Sequence, residues 1–175
     1  DCLFRAGWSR KTLRSVEMTY IAAYAGSDWI TGSRSGIYGG GPGAFLAEQN
    51  TPSACCTRMH YLYNMRGPTS TVETACSSSL TATAMVHATL RPQTVGFNTT
   101  SMRSQVHFGL VGAMNAYFDP FYTIGLCGAS MLTHTGRCFT FDASADGFIR
   151  GEGFTSMHYK VNRGEDLARL AMLCG

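Results

Sequence analysis

The sequence predicts an α/β fold, because strand-like and helix-like segments alternate along its 175 residues. Residues 16–25 are rich in β-branched and aromatic side chains, which is typical of a core strand. Residues 77–90 carry the small and straight side chains that favour a helix. With 45% apolar residues, the chain has enough material for a real core and room for one domain.

The N-terminal segments are predicted as a helix end, a strand and a loop. Residues 3–13 contain a Gly-Trp break that ends a helix before the strand at 16–25. Residues 32–43 hold six glycines and a proline, which indicates a loop. This loop lacks both the Lys-Ser/Thr ending of a phosphate-binding P-loop and the dinucleotide-binding glycine spacing.

A second helix is predicted over residues 51–63, with Thr51 as its cap and Pro52 at its first position. Its buried stripe is predicted to be Cys55, Met59 and Leu62. Residues 69–73 follow as a strand that leads directly into Cys76. Ser77 or Ser78 can then cap the helix that starts there.

The second half of the chain is predicted to contain a surface insertion, 91–105, and a buried strand, 106–111, from which the chain bends away at Gly112. The charge-poor stretch 108–132 contains polar residues, a proline and four glycines. It therefore predicts a strand, a turn and a short helix rather than a membrane span. Further elements are expected at 148–159 and 167–173.

Charge and cysteine usage narrow the class of protein. Only 14% of residues are charged and the net charge is +3, without a run of like charges, so nucleic-acid binding through a basic tract is unsupported. So little charge indicates a surface that other polypeptide covers. Seven cysteines without a CxxC pair predict no disulfide framework and no zinc cluster. We expect mostly buried thiols in a reducing intracellular compartment, cytoplasm or plastid stroma, since the N-terminus shows no signal peptide.

Cys76 is the strongest candidate for chemistry. It follows a predicted strand and precedes a predicted helix, where unpaired N–H groups and the positive helix end favour a thiolate. The same N–H groups can hold a developing oxyanion. The alternative is that Cys76 is a small core residue at a helix start, and the residues alone leave both interpretations open.

The histidines give Cys76 no evident base. His87 follows on the same predicted helix, about 16 Å along its axis at about 1.5 Å per residue, and cannot reach the thiol. The other four lie in no pattern that marks a base, and we expect structural or exposed roles for His60, His107, His134 and His158.

Residues 139–153 form a second polar segment. Asp142, Ser144 and Asp146 occupy the first, third and fifth places of a calcium loop, but the twelfth place holds Gly153 instead of a glutamate. We therefore favour a buried polar turn whose carboxylates accept backbone N–H groups and pair with Arg150.

Two segments together resemble signatures of the β-ketoacyl synthases, specifically ketosynthase domains of polyketide synthases. They are VETACSSSL at 72–80 and GRCFTFDASADGFIRGEG at 136–153. RGP at 66–68, Gly112 with Asn115, and the segment 131–138 fall in the family's order. The resemblance runs from about Ala6 to Gly153.

The resemblance implies a thiolase-like α/β/α/β/α layered fold that forms a homodimer or part of a larger assembly. Residues 1–175 would then be a partial β-ketoacyl synthase domain. They would cover most of the N-terminal half of that fold, namely the later part of the half. It implies that Cys76 takes an acyl chain from an acyl carrier protein or coenzyme A. A malonyl-type extender on a phosphopantetheine arm would then condense with it, in polyketide or fatty-acid synthesis, with no cofactor or metal bound by the chain.

The sequence also departs from the family. The family's two histidine patterns, HGTGT and NxGH, do not occur after Gly153, Glu73 replaces the usual Asp, and His134-Thr135 replaces the common Pro-Asp. These 175 residues alone are therefore not expected to turn over. Three interpretations stay open: part of a complete ketosynthase, a truncated inactive relative serving as a structural subunit, and an acyl-binding module that loads a thioester without condensation.

Overall fold

A computed structural model describes residues 1–24, 51–91, 106–162, 164 and 170–173. The predicted glycine-rich loop at 32–43 lies outside the described residues. So does the predicted insertion at 91–105, apart from Arg91, which is exposed, and so does Cys174.

The described elements alternate between strand and helix, as predicted. They are α1 (Cys2–Arg5), β1 (Met18–Ala23), α2 (Pro52–Tyr63), β2 (Thr69–Val72), a 3₁₀ turn (Ala75–Ser77), α3 (Ser78–Leu90), β3 (Phe108–Asn115), α4 (Pro120–Gly128) and β4 (Gly153–Lys160). The element predicted at 148–159 is present as β4, which begins five residues later than predicted and ends one residue later. Residues 170–173 lie in neither a helix nor a strand, so this part of the element predicted at 167–173 is wrong.

The described residues fall into two compact units. One contains residues 1–24, 51–91, 106–113 and those from 155 onward, and the other contains residues 114–154. Cys76 belongs to the first unit, and the segment 136–153 to the second.

A four-stranded sheet of order β2-β1-β3-β4 organises the first unit. The central strand β1 runs parallel to β2, with Tyr20 beside Thr69, and parallel to β3, with Tyr20 beside Leu110. All six residues of β1 are buried, which is typical of a parallel strand covered on both faces. The α/β prediction is confirmed.

Alternate residues of β1 point into two different cores, because side chains alternate across a strand. Tyr20 and Ala22 pack with Cys56 of α2 and with Met65. Ile21 and Ala23 pack with Ala82 and Val86 of α3. The two helices therefore cover opposite faces of the sheet, and α3 carries the Cys76 turn at its start.

The predicted bend at Gly112 is wrong, since β3 continues to Asn115. Gly112 pairs with Ala22, and the Tyr20 hydroxyl lies 2.7 Å from the place where a Cβ on Gly112 would stand. Glycine therefore serves here to admit a cross-strand tyrosine, and it does not break the strand.

The predicted α2 stripe needs correction. Leu62 is 58% exposed, whereas Cys56 is 2% exposed and belongs to the core. Cys55, Met59 and Tyr63 pack against that core. Successive positions 56, 59 and 63 are three and four residues apart, as on one face of a helix, and this face is rotated slightly from the predicted one. Thr51 occupies the cap position, but its side chain makes no capping hydrogen bond.

The prediction that most thiols are buried is also wrong. Among the six described cysteines, all of them free, only Cys56 is buried, and Cys76, Cys127 and Cys138 are exposed. Cys127 is exposed because it lies on α4, none of whose residues is buried. Within the described ranges, the helices are all too short or too polar to cross a membrane.

Candidate active site

Cys76 lies in a tight turn at the carboxyl end of a parallel strand. Only Glu73 and Thr74 separate the last residue of β2 from the 3₁₀ turn, and α3 begins immediately after that turn. Ligands in open α/β sheets bind outside the carboxyl ends of the strands. The predicted strand–turn–helix arrangement is therefore present, and the site lies where such sheets place their chemistry.

The residue before Cys76 has an unusual backbone. Ala75 has φ 52°, in the left-handed region that residues with a Cβ rarely adopt. Cys76 itself is exposed. The interpretation of Cys76 as a small core residue is therefore wrong, and the strained turn presents its thiol to solvent.

Backbone hydrogen bonds close the turn around Cys76. The Ser77 N–H donates to the Thr74 carbonyl at 3.2 Å, and the Ser78 N–H donates to the Ala75 carbonyl. The Cys76 N–H takes part in neither bond. Ser77 holds the cap position of α3 without capping it, since its hydroxyl donates to the Thr74 carbonyl at 2.8 Å. The sequence did not show that Thr74 is the anchor of the turn.

Two of the histidines, His60 and His158, make hydrogen bonds to residues outside the Cys76 turn. His60 Nε2 makes a 3.0 Å hydrogen bond to the Met18 carbonyl. His158 Nε2 accepts the Trp8 indole N–H at 3.1 Å. Burial lowers the pKa of His158, and the charge of Lys160 lowers it further. His87 lies in the last turn of α3, on the predicted helix. The bonds of His60 and His158 agree with the structural roles expected for them.

The polar segment of the second unit forms an exposed turn rather than a buried one. Asp142 Oδ1 accepts the Ser144 N–H at 2.8 Å and its hydroxyl at 2.7 Å, and these bonds lower the pKa of Asp142. Asp146 accepts the Thr133 hydroxyl at 2.6 Å, which is the main reason that its pKa is also lowered. The prediction that these carboxylates accept backbone N–H groups is confirmed for both, since Asp146 Oδ2 also accepts the His134 N–H at 3.4 Å.

The predicted pairing of Arg150 with these carboxylates is wrong. Its guanidinium donates to Thr123 Oγ1 and lies 3.9 Å from the Tyr117 ring centre and 5.0 Å from that of Tyr122. Two aromatic faces and a hydroxyl thus satisfy the cation. Glu152 accepts the Tyr117 N–H at 2.7 Å. This use of Glu152 was not apparent from the sequence, because its partner lies 35 residues away.

Solved ketosynthases share this fold. The chain superposes on the ketosynthase from module 6 of the bacillaene synthase from Bacillus subtilis 168 with a TM-score of 0.69 and 26% identity, covering 89% of this chain and 24% of that one. An oxazolomycin ketosynthase domain from a Streptomyces albus strain gives a TM-score of 0.72 at 23% identity, over 91% of this chain and 26% of the other. These structural similarities show that the chain has a ketosynthase fold.

The profile of the family described as beta-ketoacyl synthase, N-terminal domain, matches residues 1–157. The chain therefore belongs to the β-ketoacyl synthase family. A highly reducing polyketide synthase, xilA, of Penicillium crustosum is 30% identical over 163 residues, which is 83% of this chain and 6% of the relative. A phenolphthiocerol/phthiocerol polyketide synthase of Mycobacterium tuberculosis strain CDC 1551 is 39% identical over 110 residues, 63% of this chain and 5% of the relative. The chain thus spans a small fraction of these relatives' length.

Proposed function

We propose that this chain supplies the nucleophile of a ketosynthase, and that Cys76 is that nucleophile. The observation that carries the proposal is an exposed cysteine placed directly after a left-handed alanine at a strand-to-helix turn, in a member of this family. A thiol presented in this way meets an incoming carbonyl without a rearrangement of the chain.

In the loading step, Cys76 Sγ attacks the thioester carbonyl of an acyl carrier protein or coenzyme A. The bond from the acyl carbon to the donor sulfur breaks, and the donor leaves as a thiol after taking the proton that Cys76 gave up. Backbone N–H groups of the turn stabilise the oxyanion of this step.

In the condensing step, a malonyl-type extender on the phosphopantetheine arm of a carrier protein loses carbon dioxide. The resulting carbanion attacks the acyl carbon on Cys76, the bond from that carbon to Sγ breaks, and the β-ketoacyl product stays on the carrier. The family's two histidine patterns, absent from these 175 residues, would be needed for this second step.

The loading step is tested on the full native polypeptide with an acyl N-acetylcysteamine thioester, followed by peptide mass mapping. We expect acylation at Cys76 and none in a Cys76→Ala variant. Cys127→Ala is the matched control, because Cys127 is also exposed but lies on α4 in the second unit. Burial raises the pKa of Cys55, which lowers its background reactivity. Equal acylation in the Cys76→Ala variant would contradict the proposal.

A structural role is the second candidate, and one observation favours it. α4 has no buried residue and exposes Phe121, Tyr122 and Ile124, each by more than half. Such apolar exposure is suited to contact with further polypeptide, including a second copy or other parts of a synthase. An inactive structural subunit would give no carbon–carbon bond with malonyl carrier protein, whereas a ketosynthase yields the β-ketoacyl product. An acyl-binding module would load Cys76 and stop there.

A reducing intracellular compartment fits this proposal, because the nucleophile must stay a free thiol. Mass measurement of Cys76 in the protein isolated under native conditions, with free thiols blocked during lysis, tests it.

A further inference from the structure

The hydroxyl of Ser78 bridges the backbone just before Cys76. Ser78 is the first residue of α3 and is 5% exposed. Its Oγ accepts the Thr74 N–H at 2.8 Å and donates to the Ala75 carbonyl at 2.7 Å. One buried hydroxyl therefore binds the N–H at the start and the carbonyl at the end of the dipeptide Thr74-Ala75, which contains the left-handed alanine.

This bridge fixes the peptide that joins Ala75 to Cys76. The Ala75 carbonyl receives two hydrogen bonds from one residue, the Ser78 N–H and the Ser78 hydroxyl. In a trans peptide the carbonyl and the following N–H point in opposite directions. Holding the Ala75 carbonyl toward the start of α3 therefore turns the Cys76 N–H away from it.

The left-handed backbone at Ala75 needs such a restraint. Residues with a Cβ keep this conformation only where the surrounding structure imposes it. Thr74, on the other side of Ala75, is held further by its own hydroxyl, which lies 3.0 Å from Thr81 Oγ1. The turn is thus fastened to the first two turns of α3.

We propose that Ser78 is a positioning residue for Cys76: it orients the Ala75–Cys76 peptide so that the Cys76 N–H and thiol meet the same acyl carbonyl. The inference rests on the proposed function of Cys76 as nucleophile. It distinguishes the three serines that follow the cysteine. Ser77 bonds to Thr74, Ser78 holds the peptide, and the Ser79 hydroxyl makes no hydrogen bond to the turn among the described residues.

The test compares Ser78→Ala with the matched control Ser79→Ala in the full native polypeptide. Two rates at Cys76 are measured by mass spectrometry: acylation by the N-acetylcysteamine thioester, and alkylation by iodoacetamide. Acylation passes through an oxyanion and depends on the orientation of the peptide, whereas alkylation has no oxyanion and needs only an accessible thiol.

For Ser78→Ala we expect acylation to slow by about tenfold or more, because small misplacements at a reacting centre are costly. Alkylation should stay within about twofold, since it depends on thiol exposure. Ser79→Ala should change neither rate. Unchanged acylation in Ser78→Ala overturns the inference, and so does a parallel loss of both rates, which would indicate a purely structural role.

If Ser78→Ala does not fold, the same rates are measured in Ala75→Gly/Ser78→Ala, because glycine adopts the left-handed backbone without strain. The same divergence of rates is expected. A crystal structure of the folded variant separates this inference from the proposed function: an Ala75–Cys76 peptide that keeps its orientation overturns the role of Ser78. Absence of acylation in the unaltered protein instead contradicts the role of Cys76 as nucleophile. In that case, a rotated Ala75–Cys76 peptide in the variant would still support the role of Ser78 in orienting this peptide.

Discussion

Val86 of α3 occupies the space that a side chain on Gly109 of β3 would need: its Cγ1 lies too close to the position of a Cβ on Gly109 for that atom to fit. Val86 is completely buried, and Thr19 Cγ2 lies 3.3 Å from the same position. α3 therefore packs against β3 more closely than any residue but glycine allows. Since the Cys76 turn directly precedes α3, the contact between Val86 and Gly109 also determines where the turn lies relative to the sheet.

Gly109→Ala should destabilise the first unit by about 1–3 kcal/mol, because the added methyl group overpacks a buried contact with a stiff side chain. Val86→Ala should also destabilise it, by leaving a cavity. The double variant should lose less than the two single changes together, since each compensates for the other. Denaturant unfolding of all three variants measures this coupling, and simple additivity would contradict the contact.

Thr19→Val should stabilise the protein by about 1 kcal/mol, because Thr19 is completely buried and its hydroxyl has no hydrogen-bond partner within the described residues. Thr69→Val is the matched control. The Thr69 hydroxyl donates to the Tyr20 carbonyl at 3.0 Å, so its removal should destabilise. The thermal unfolding temperature should therefore rise in Thr19→Val and fall in Thr69→Val. A loss of stability in Thr19→Val would contradict the conclusion that the Thr19 hydroxyl is buried without a hydrogen bond to the described residues.

The Trp8–His158 hydrogen bond should weaken as the pH falls. His158 accepts the indole N–H, so it must be neutral, and burial together with Lys160 lowers its pKa below the ordinary value of 6.5. The unfolded chain then binds the proton first. The stability contributed by the neutral His158 is therefore complete above pH 6.5. It is lost as the pH falls toward the lower pKa that His158 has in the folded state.

Trp8 fluorescence and thermal unfolding across this pH range measure the effect, with His158→Gln as control. Glutamine retains an acceptor oxygen for the indole N–H but does not titrate. The variant should lose this part of the pH dependence. The same pH dependence in His158→Gln would assign the effect to another group.

Gly147→Ala should destabilise the turn at residues 136–153 strongly. Gly147 has φ 147°, and an added Cβ would lie 2.6 Å from the Leu132 carbonyl carbon and the Thr133 nitrogen. Gly136→Ala is the matched control, because Gly136 has φ 68° but open space around it. We expect a loss of about 1 kcal/mol for Gly136→Ala and of at least about 3 kcal/mol for Gly147→Ala.

Hydrogen exchange of peptides from residues 131–153 measures these losses locally. Similar exchange in the two variants would show that backbone crowding at Gly147 does not limit the turn.

Much of the first unit followed from local sequence patterns. β1 and β2 were predicted to within two residues at each end, since β-branched runs and turn residues act over short distances. The position of Cys76 between a strand and a helix was also predictable for that reason. The continuation of β3 was not, because it depends on Tyr20 of the neighbouring strand filling the space beside Gly112.

The sequence by itself determined the α/β class, the family signatures and the candidate nucleophile, because each is written in contiguous residues. Tertiary structure alone decided that Cys76 is exposed and that His158 is bound to Trp8, 150 residues away. It also decided that, of three consecutive serines, Ser78 is the one whose hydroxyl bonds to both the Thr74 N–H and the Ala75 carbonyl. Burial and hydrogen-bond partnership depend on the packing of distant segments, and a local pattern carries no information about which segments meet.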